Sequence, residues 1–153
     1  MQITDMTKKY ADLISEWKYD GIYSFYDHNK DNIDDFMNGK HFACTDMSGE
    51  LIGYFCFGED ARIPTIEENV YDDDFIDIGL SLKPNLCGNN LGLSFLNEGL
   101  KYAGELYNTS NFCLSVASFN ERAIKVYKRA GFYVEREVTN SYFNNKFFIM
   151  KYT

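Results

Sequence analysis

Basic residues are scarce in this chain, which sets 15 lysines and arginines against 23 aspartates and glutamates for a formal net charge of −8. Binding a phosphate chain depends on clustered cations, so this balance excludes a bare nucleic-acid backbone and suits a cationic partner such as an amine. The same acidity also serves solubility alone. Histidine is limited to His28 and His41, and Cys44, Cys56, Cys87 and Cys113 lie far apart with no C-x-x-C pair. A structural zinc therefore has no ligand set here, and no metal is expected. Cys44, Cys56 and Cys113 sit in apolar, strand-like runs, which reads as buried thiols in a reducing, cytoplasmic setting. No apolar run approaches the ~20 residues of a membrane span, and "MQITDMTKKY" has no signal-peptide apolar region, so no membrane partner is expected. Repeats, linkers and low-complexity tracts are missing as well. What remains is 153 residues, 45% apolar and 17% aromatic, enough for one domain over 1–153 with a real core.

The order of elements follows from period and punctuation. A short apolar start at Ile3 is followed by "TKKYADLISEW", whose Ala11, Ile14 and Trp17 share a helical face behind a Thr7 cap. Residues 18–32 read as an ordered aromatic loop, with a short helix near Asp34 to Met37. "HFACTD" and "LIGYFCFG" are strand formers joined by "MSGE", where Ser48 and Gly49 supply turn chemistry. An acidic loop leads to the strand "FIDIGLSL", whose interior Gly79 predicts a bulge or a close approach. A helix from about Leu91 to Tyr107, the strand "NFCLSVA" and the helix "NERAIKVYKRA" follow. The last of these has an Asn120 cap and Gly131 at its left-handed end. Two strands around Asn144 and Asn145 close the chain. The strand, helix, strand unit over 75–116 predicts one parallel pair in an otherwise mostly antiparallel sheet, an α/β architecture with helices flanking a mixed sheet.

The turn "KPNLCGNNLG" before the second helix is the first functional signal. A helix start leaves unpaired N–H groups and a partial positive charge, which together suit an anion. Gly88 and Gly92 keep side chains out of the way, while Asn89 and Asn90 tolerate positive φ. It is neither a Walker loop nor the dinucleotide fingerprint, and a plain strand-to-helix turn reads equally well from these residues alone.

Beyond it stands "N-x-R-A-x-x-x-Y-x-x-x-G-F", read at Asn120, Arg122, Ala123, Tyr127, Gly131 and Phe132. With the strand ending in Leu-Lys-Pro and the loop that follows, this pattern resembles the GNAT superfamily of acyl-CoA-dependent N-acetyltransferases. The likeness spans nearly the whole chain and looks most like the branch containing ribosomal-protein alanine N-acetyltransferases. In the superfamily's [RQ]-x-x-G-x-[GA] loop, Cys87 stands where Arg or Gln is usual and Asn90 where Gly is usual, while Gly92 matches. Asn90 replaces a glycine there only if its φ is positive.

The resemblance implies a single-domain GNAT-like fold and direct attack of a primary amine, on a small molecule or a peptide terminus, on the thioester of acetyl-CoA. It puts the coenzyme's diphosphate on the amides of Cys87, Gly88, Asn89, Asn90, Leu91 and Gly92, and its pantetheine arm beside Leu80, Ser81 and Leu82. The N–H groups of that strand would also polarise the thioester carbonyl. Asn120 would hold the far side of the arm, and Tyr127, two turns further along the helix, would protonate the departing thiolate. Tyr127 equally fits the apolar stripe of Ala123 and Ile124. Asp77 is the candidate proton acceptor for the ammonium, the alternative being a solvated, outward-facing carboxylate. Trp17, Tyr19, Tyr23, Phe25 and Tyr26 read as an acceptor clamp, as a lid on the core, or as an interface of a homodimer. Other functions remain open: an acyl-CoA sensor of the same fold without turnover, and an interaction domain that uses the aromatic loop.

Overall fold

The structure, a computed structural model, describes residues 1–27 and 30–153, and the side chains of these apart from 30–33. His28 therefore lies outside the described residues. The elements run β1 (Gln2–Asp5), α1 (Lys8–Ser15), β2 (His41–Thr45), β3 (Leu51–Phe57), β4 (Ile76–Leu82), α2 (Gly92–Tyr107), β5 (Phe112–Ala117), α3 (Glu121–Ala130), β6 (Tyr133–Thr139) and β7 (Lys146–Tyr152). The strands form one sheet in the order β1-β2-β3-β4-β5-β7-β6. Neighbours are antiparallel apart from β4 and β5, which are parallel. This is the mixed, mostly antiparallel sheet flanked by helices that the element order predicts.

Local chemistry sets the element ends. Thr7 opens α1 by accepting the Tyr10 N–H at 3.2 Å, and Asn120 opens α3 by accepting the Ala123 N–H at 3.3 Å; each satisfies a donor that the helix itself leaves open. Gly131 closes α3 in the left-handed region at φ 113°. In the β2–β3 hairpin the turn rests on Asp46 as well as on Gly49. Its Oδ1 accepts the N–H groups of Ser48 at 2.9 Å and Glu50 at 3.0 Å. The aromatic stretch is more regular than the sequence suggests, since Gly21–Tyr26 and Lys30–Met37 are 3-10 helices. Such i to i+3 turns suit short segments without a 3.6-residue apolar period.

β3 is buried along its whole length, so it reads as a continuous apolar run rather than an alternating one. Alternation still decides which face each residue meets. Phe42, Phe55, Phe57, Ile78, Leu114 and Val116 pack under α2 and α3 with Phe95 and Leu96. The rings of Phe55 and Phe95 stack at 4.4 Å and 21°, worth about 1 kcal/mol beyond the area they bury. On the opposite face, Ala43, Leu51 and Tyr54 pack with Ala11, Ile14 and Trp17 of the α1 region. Further along that face, Cys113, Ala117, Phe147 and Ile149 lie under loop residues that include Phe25 and Tyr26.

Trp17 is thus a core residue, 7% exposed, with its ring 6.3 Å from that of Tyr54. The expectation that it clamps a substrate is corrected by its position, two residues beyond α1 and still on the apolar face of that helix. The close approach predicted at Gly79 is real, and its cause is a side chain. A Cβ there would sit 2.5 Å from the Cys56 sulfur and 3.5 Å from the Ala61 Cβ.

Candidate active site

β4 and β5 pair only at Ile76 with Phe112 and at Asp77 with Cys113. Beyond those pairs they diverge, while β4 stays bonded to β3 as far as Leu82. The gap opens into a cleft of about 960 Å³. The phase of the ladder decides which groups face it. The Lys83 N–H bonds the Ile52 carbonyl at 2.8 Å, so by antiparallel alternation Ser81 and Gly79 also direct their backbone groups to β3. Leu80 and Leu82 therefore present N–H and C=O to the gap. The sequence reading assigned all three N–H groups of Leu80, Ser81 and Leu82 to the arm. Ser81 is the correction, because it contributes its hydroxyl to the cleft instead of its N–H.

The loop after β4 is shaped by one 3-10 turn, Pro84–Leu86, and by two residues of positive φ, Gly88 at 80° and Asn90 at 58°. Asn90 thus has the backbone conformation that lets it stand in for glycine. Among the described residues, the N–H groups of Gly88, Asn89, Asn90 and Leu91 make no hydrogen bond, and α2 begins at Gly92 immediately behind them. Four free amides and a helix N-terminus at one bend fit a diphosphate. Cys87, Gly88, Asn90 and Gly92 line the cleft, whereas Asn89 and Leu91 do not. The Asn89 side-chain amide turns back to the Asn85 carbonyl at 3.1 Å, so the expectation that Asn89 and Leu91 face the cofactor is corrected to Cys87, Gly88, Asn90 and Gly92. The Cys87 sulfur leans on the Leu82 and Lys83 carbonyls at 3.9 and 3.7 Å. Burial pushes this thiol up, which leaves it protonated and inert.

α3 walls the other side of the gap. Asn120 lines the cleft, with its side-chain oxygen engaged as the helix cap and its amide donating to the Tyr26 hydroxyl at 3.3 Å. Its expected grip on the arm is therefore confined to whatever the capped amide has left to give. Tyr127 also lines the cleft, with its ring 6.2 Å from that of Phe132. Burial raises its phenol well above the ordinary value, so it keeps its proton at neutral pH.

The sequence reading did not assign Arg122, Lys125, Lys128 and Arg129, which all line the cleft from α3. The Arg122 guanidinium lies 4.0 Å over the Tyr23 ring. Its Nη1 is 3.8 Å from the point where a side chain on Gly88 would begin. The signal was present as four cations within the ten residues of α3 in an acidic chain.

The aromatic segment covers the cleft from the opposite face of the sheet. Tyr19, Tyr23, Phe25 and Tyr26 line it, and Phe25 and Tyr26 also pack on the core beneath. The Tyr19 hydroxyl donates to the Leu82 carbonyl at 2.7 Å and lies 3.2 Å from the Ser81 Oγ. Burial pushes this phenol up to about 12.

Asp77 is not a cleft group. It is 2% exposed and accepts the Arg62 Nε–H at 2.7 Å, while the same guanidinium reaches Asp73 at 3.2 Å. Burial raises its carboxyl against the opposing pull of Arg62. The expectation that Asp77 takes the proton from the acceptor is corrected on this ground, since its charge is committed to a buried ion pair. Among the described residues, the carboxylates that line the cleft are Asp27 and Asp60. The opening is therefore cationic along α3 and carries acidic groups beside the aromatic segment.

No curated protein gives a significant match to the sequence. Solved structures do resemble the fold. A chimera of the spermidine N-acetyltransferase SpeG from Vibrio cholerae and hSSAT superposes with a TM-score of 0.74 at 16% identity, covering 99% of this chain and 93% of that one. A GNAT-family acetyltransferase from Bacillus anthracis gives a TM-score of 0.74 at 14% identity, covering 97% and 92%. SpeG from Vibrio cholerae in complex with manganese ions gives 0.70 at 16%, covering 98% and 90%. The model of the acetyltransferase (GNAT) family matches residues 8–132, and the chain belongs to that family.

Proposed function

We propose that this protein moves an acetyl group from acetyl-CoA to a primary amine by direct attack. The observation that carries this reading is the bend at Gly88 to Gly92, where four amides without a hydrogen bond among the described residues precede α2, with the Arg122 guanidinium beside Gly88 and the unpaired edge of β4 before it. When bound, acetyl-CoA supplies an activated acetyl thioester. Gly88 to Gly92 and Arg122 would hold its diphosphate, with Lys125, Lys128 and Arg129 adding positive field along α3. The gap-facing N–H groups of Leu80 and Leu82 are fixed donors for carbonyls lying along β4. Fixed donors matter most where negative charge grows, and losing one typically costs about 3 kcal/mol. Tyr127, kept protonated by burial, donates its proton to the leaving sulfur.

The acceptor must lose a proton before its nitrogen can attack, and Asp60 or Asp27, reached through water, takes that proton in place of the buried Asp77. Asp27 and Asp60 also favour an acceptor with positive charge beyond the reacting nitrogen, in keeping with the similar solved structures named as spermidine N-acetyltransferases. A peptide terminus, as the ribosomal-protein alanine branch would require, is the competing acceptor.

The deciding experiment is free-thiol release from acetyl-CoA against a panel of diamines, polyamines, monoamines and alanyl peptides. Release above the amine-free rate, greatest with the multiply charged amines, is expected. Heat from coenzyme A in a calorimeter without thiol release on any amine would make the protein an acyl-CoA sensor, and no heat at millimolar coenzyme A would remove the reading altogether.

A further inference from the structure

The Tyr19 main chain is anchored by its N–H to Asp27 Oδ1 at 2.8 Å. From there its phenol reaches the end of β4 and donates to the Leu82 carbonyl at 2.7 Å. With that proton engaged, the contact with Ser81 Oγ at 3.2 Å has the serine as donor. The identity of the acceptor is what matters. Leu82 belongs to the alternate set of β4 residues whose backbone groups face the gap, and it is the last strand residue before the 83–91 loop. A peptide-like arm lying along an unpaired strand edge bonds to just this row of groups. The pantetheine arm carries secondary amides, so on entering the gap it brings an N–H donor to a carbonyl whose two lone pairs already meet the Tyr19 phenol at 2.7 Å and the Cys87 thiol at 3.9 Å.

Building on the acetyl-CoA reading above, we infer that Tyr19 competes with the pantetheine arm for the Leu82 carbonyl and thereby sets coenzyme affinity. Docking of the arm displaces the phenol. Tyr19 shares its segment with Tyr23, Phe25 and Tyr26, which wall the aromatic side of the cleft. Its displacement therefore also links coenzyme binding to the shape of the acceptor side.

The consequence has a sign opposite to that of a supporting residue. Removing the hydroxyl frees the carbonyl, and one net hydrogen bond corresponds to about three- to tenfold in affinity. Coenzyme A titrated calorimetrically into Tyr19→Phe should bind about three- to tenfold tighter than to the wild type. Ser81→Ala, which loosens the phenol and leaves it in place, should tighten binding by a smaller factor. Adenosine 3′,5′-bisphosphate, which keeps the 3′-phosphate and the first 5′-phosphate and lacks the arm, should bind all three proteins equally.

Equal or weaker coenzyme binding by Tyr19→Phe, with wild-type binding intact, overturns the competition and leaves the acetyltransferase reading standing. Equal tightening toward the bisphosphate puts the effect away from the arm and overturns it as well. Absence of coenzyme binding to wild type and variants alike removes both readings together.

Discussion

Arg122→Ala is expected to weaken coenzyme A binding about five- to thirtyfold. The guanidinium projects from the first turn of α3, held at 4.0 Å over the Tyr23 ring, with its Nη1 3.8 Å from the Gly88 side-chain position. An anion seated on the Gly88 to Gly92 amides would therefore lie about 5 Å from this charge. Two unit charges at that distance attract by about 0.8 kcal/mol in water and about 3 kcal/mol at an effective dielectric near 20. Arg122 is an exposed residue, so solvent screening places the effect between these limits, at about 1–2 kcal/mol. Since 1.36 kcal/mol is a factor of ten, the affinity range follows. Titration calorimetry at low and high ionic strength is the assay, and the gap between variant and wild type should narrow as salt is added. Arg136→Ala serves as the control, because Arg136 lies on β6 and does not line the cleft. A loss under twofold at low salt, or a loss equal to that of Arg136→Ala, would refute the placement of the diphosphate on this bend.

Three further outcomes follow from the same geometry. Asn90→Gly should keep coenzyme affinity within about twofold or improve it, whereas Asn90→Val forces a β-branched residue to φ 58°. Thermal melts should then show a Tm lower by about 2–8 °C for the valine variant alone; equal melting of the two would contradict the backbone assignment. Tyr127→Phe should lower kcat by about a hundredfold or more while the coenzyme Kd stays within about twofold. Because burial holds this phenol above its ordinary value, wild-type kcat should not fall below pH 9 through loss of its proton, and an alkaline fall there that vanishes in the variant would refute the role. Asp77 bears on stability. Its folded carboxyl is raised, so the folded chain binds that proton more tightly than the unfolded one. Stability therefore falls as pH rises from the ordinary carboxylate value through the folded one. Asp77→Asn should flatten the part of the denaturant-melt profile that lies above the ordinary carboxylate value and leave the pH dependence of kcat/KM unchanged; a lost acidic limb in kcat/KM would return Asp77 to catalysis.

Much of the fold was legible because its determinants are short-range. A hydroxyl or amide at Thr7 or Asn120 caps the helix it precedes, whatever the rest of the chain does. The run "LIGYFCF" is apolar throughout because it is the buried strand β3, and "NN" at 144 and 145 makes a hairpin turn, with Asn144 at φ 64°. The bend proposed to hold the diphosphate was readable for the same reason, since positive φ at Gly88 and Asn90 and a helix start at Gly92 are properties of adjacent residues. Asp46 in the β2–β3 turn was missed although its signal was local, being a side-chain acceptor two residues before Ser48.

Contacts between distant segments required the tertiary structure. No local feature tells Asp77 from Asp60; Asp77 is buried because Arg62, fifteen residues earlier, folds over it, and Asp60 reaches the cleft because the segment before Arg62 passes above Gly79. Trp17 is an aromatic like those that line the cleft and is separated from them by packing with Ala11 and Ile14 against Ala43, Leu51 and Tyr54 of the sheet. The cleft itself has no sequence signature, for it exists where β4 and β5 part after two pairs. Caps, turns and strand period were settled by neighbouring residues through backbone sterics and short hydrogen bonds, whereas the direction of each polar side chain, toward the cleft or into an ion pair, was decided by how far-apart segments packed.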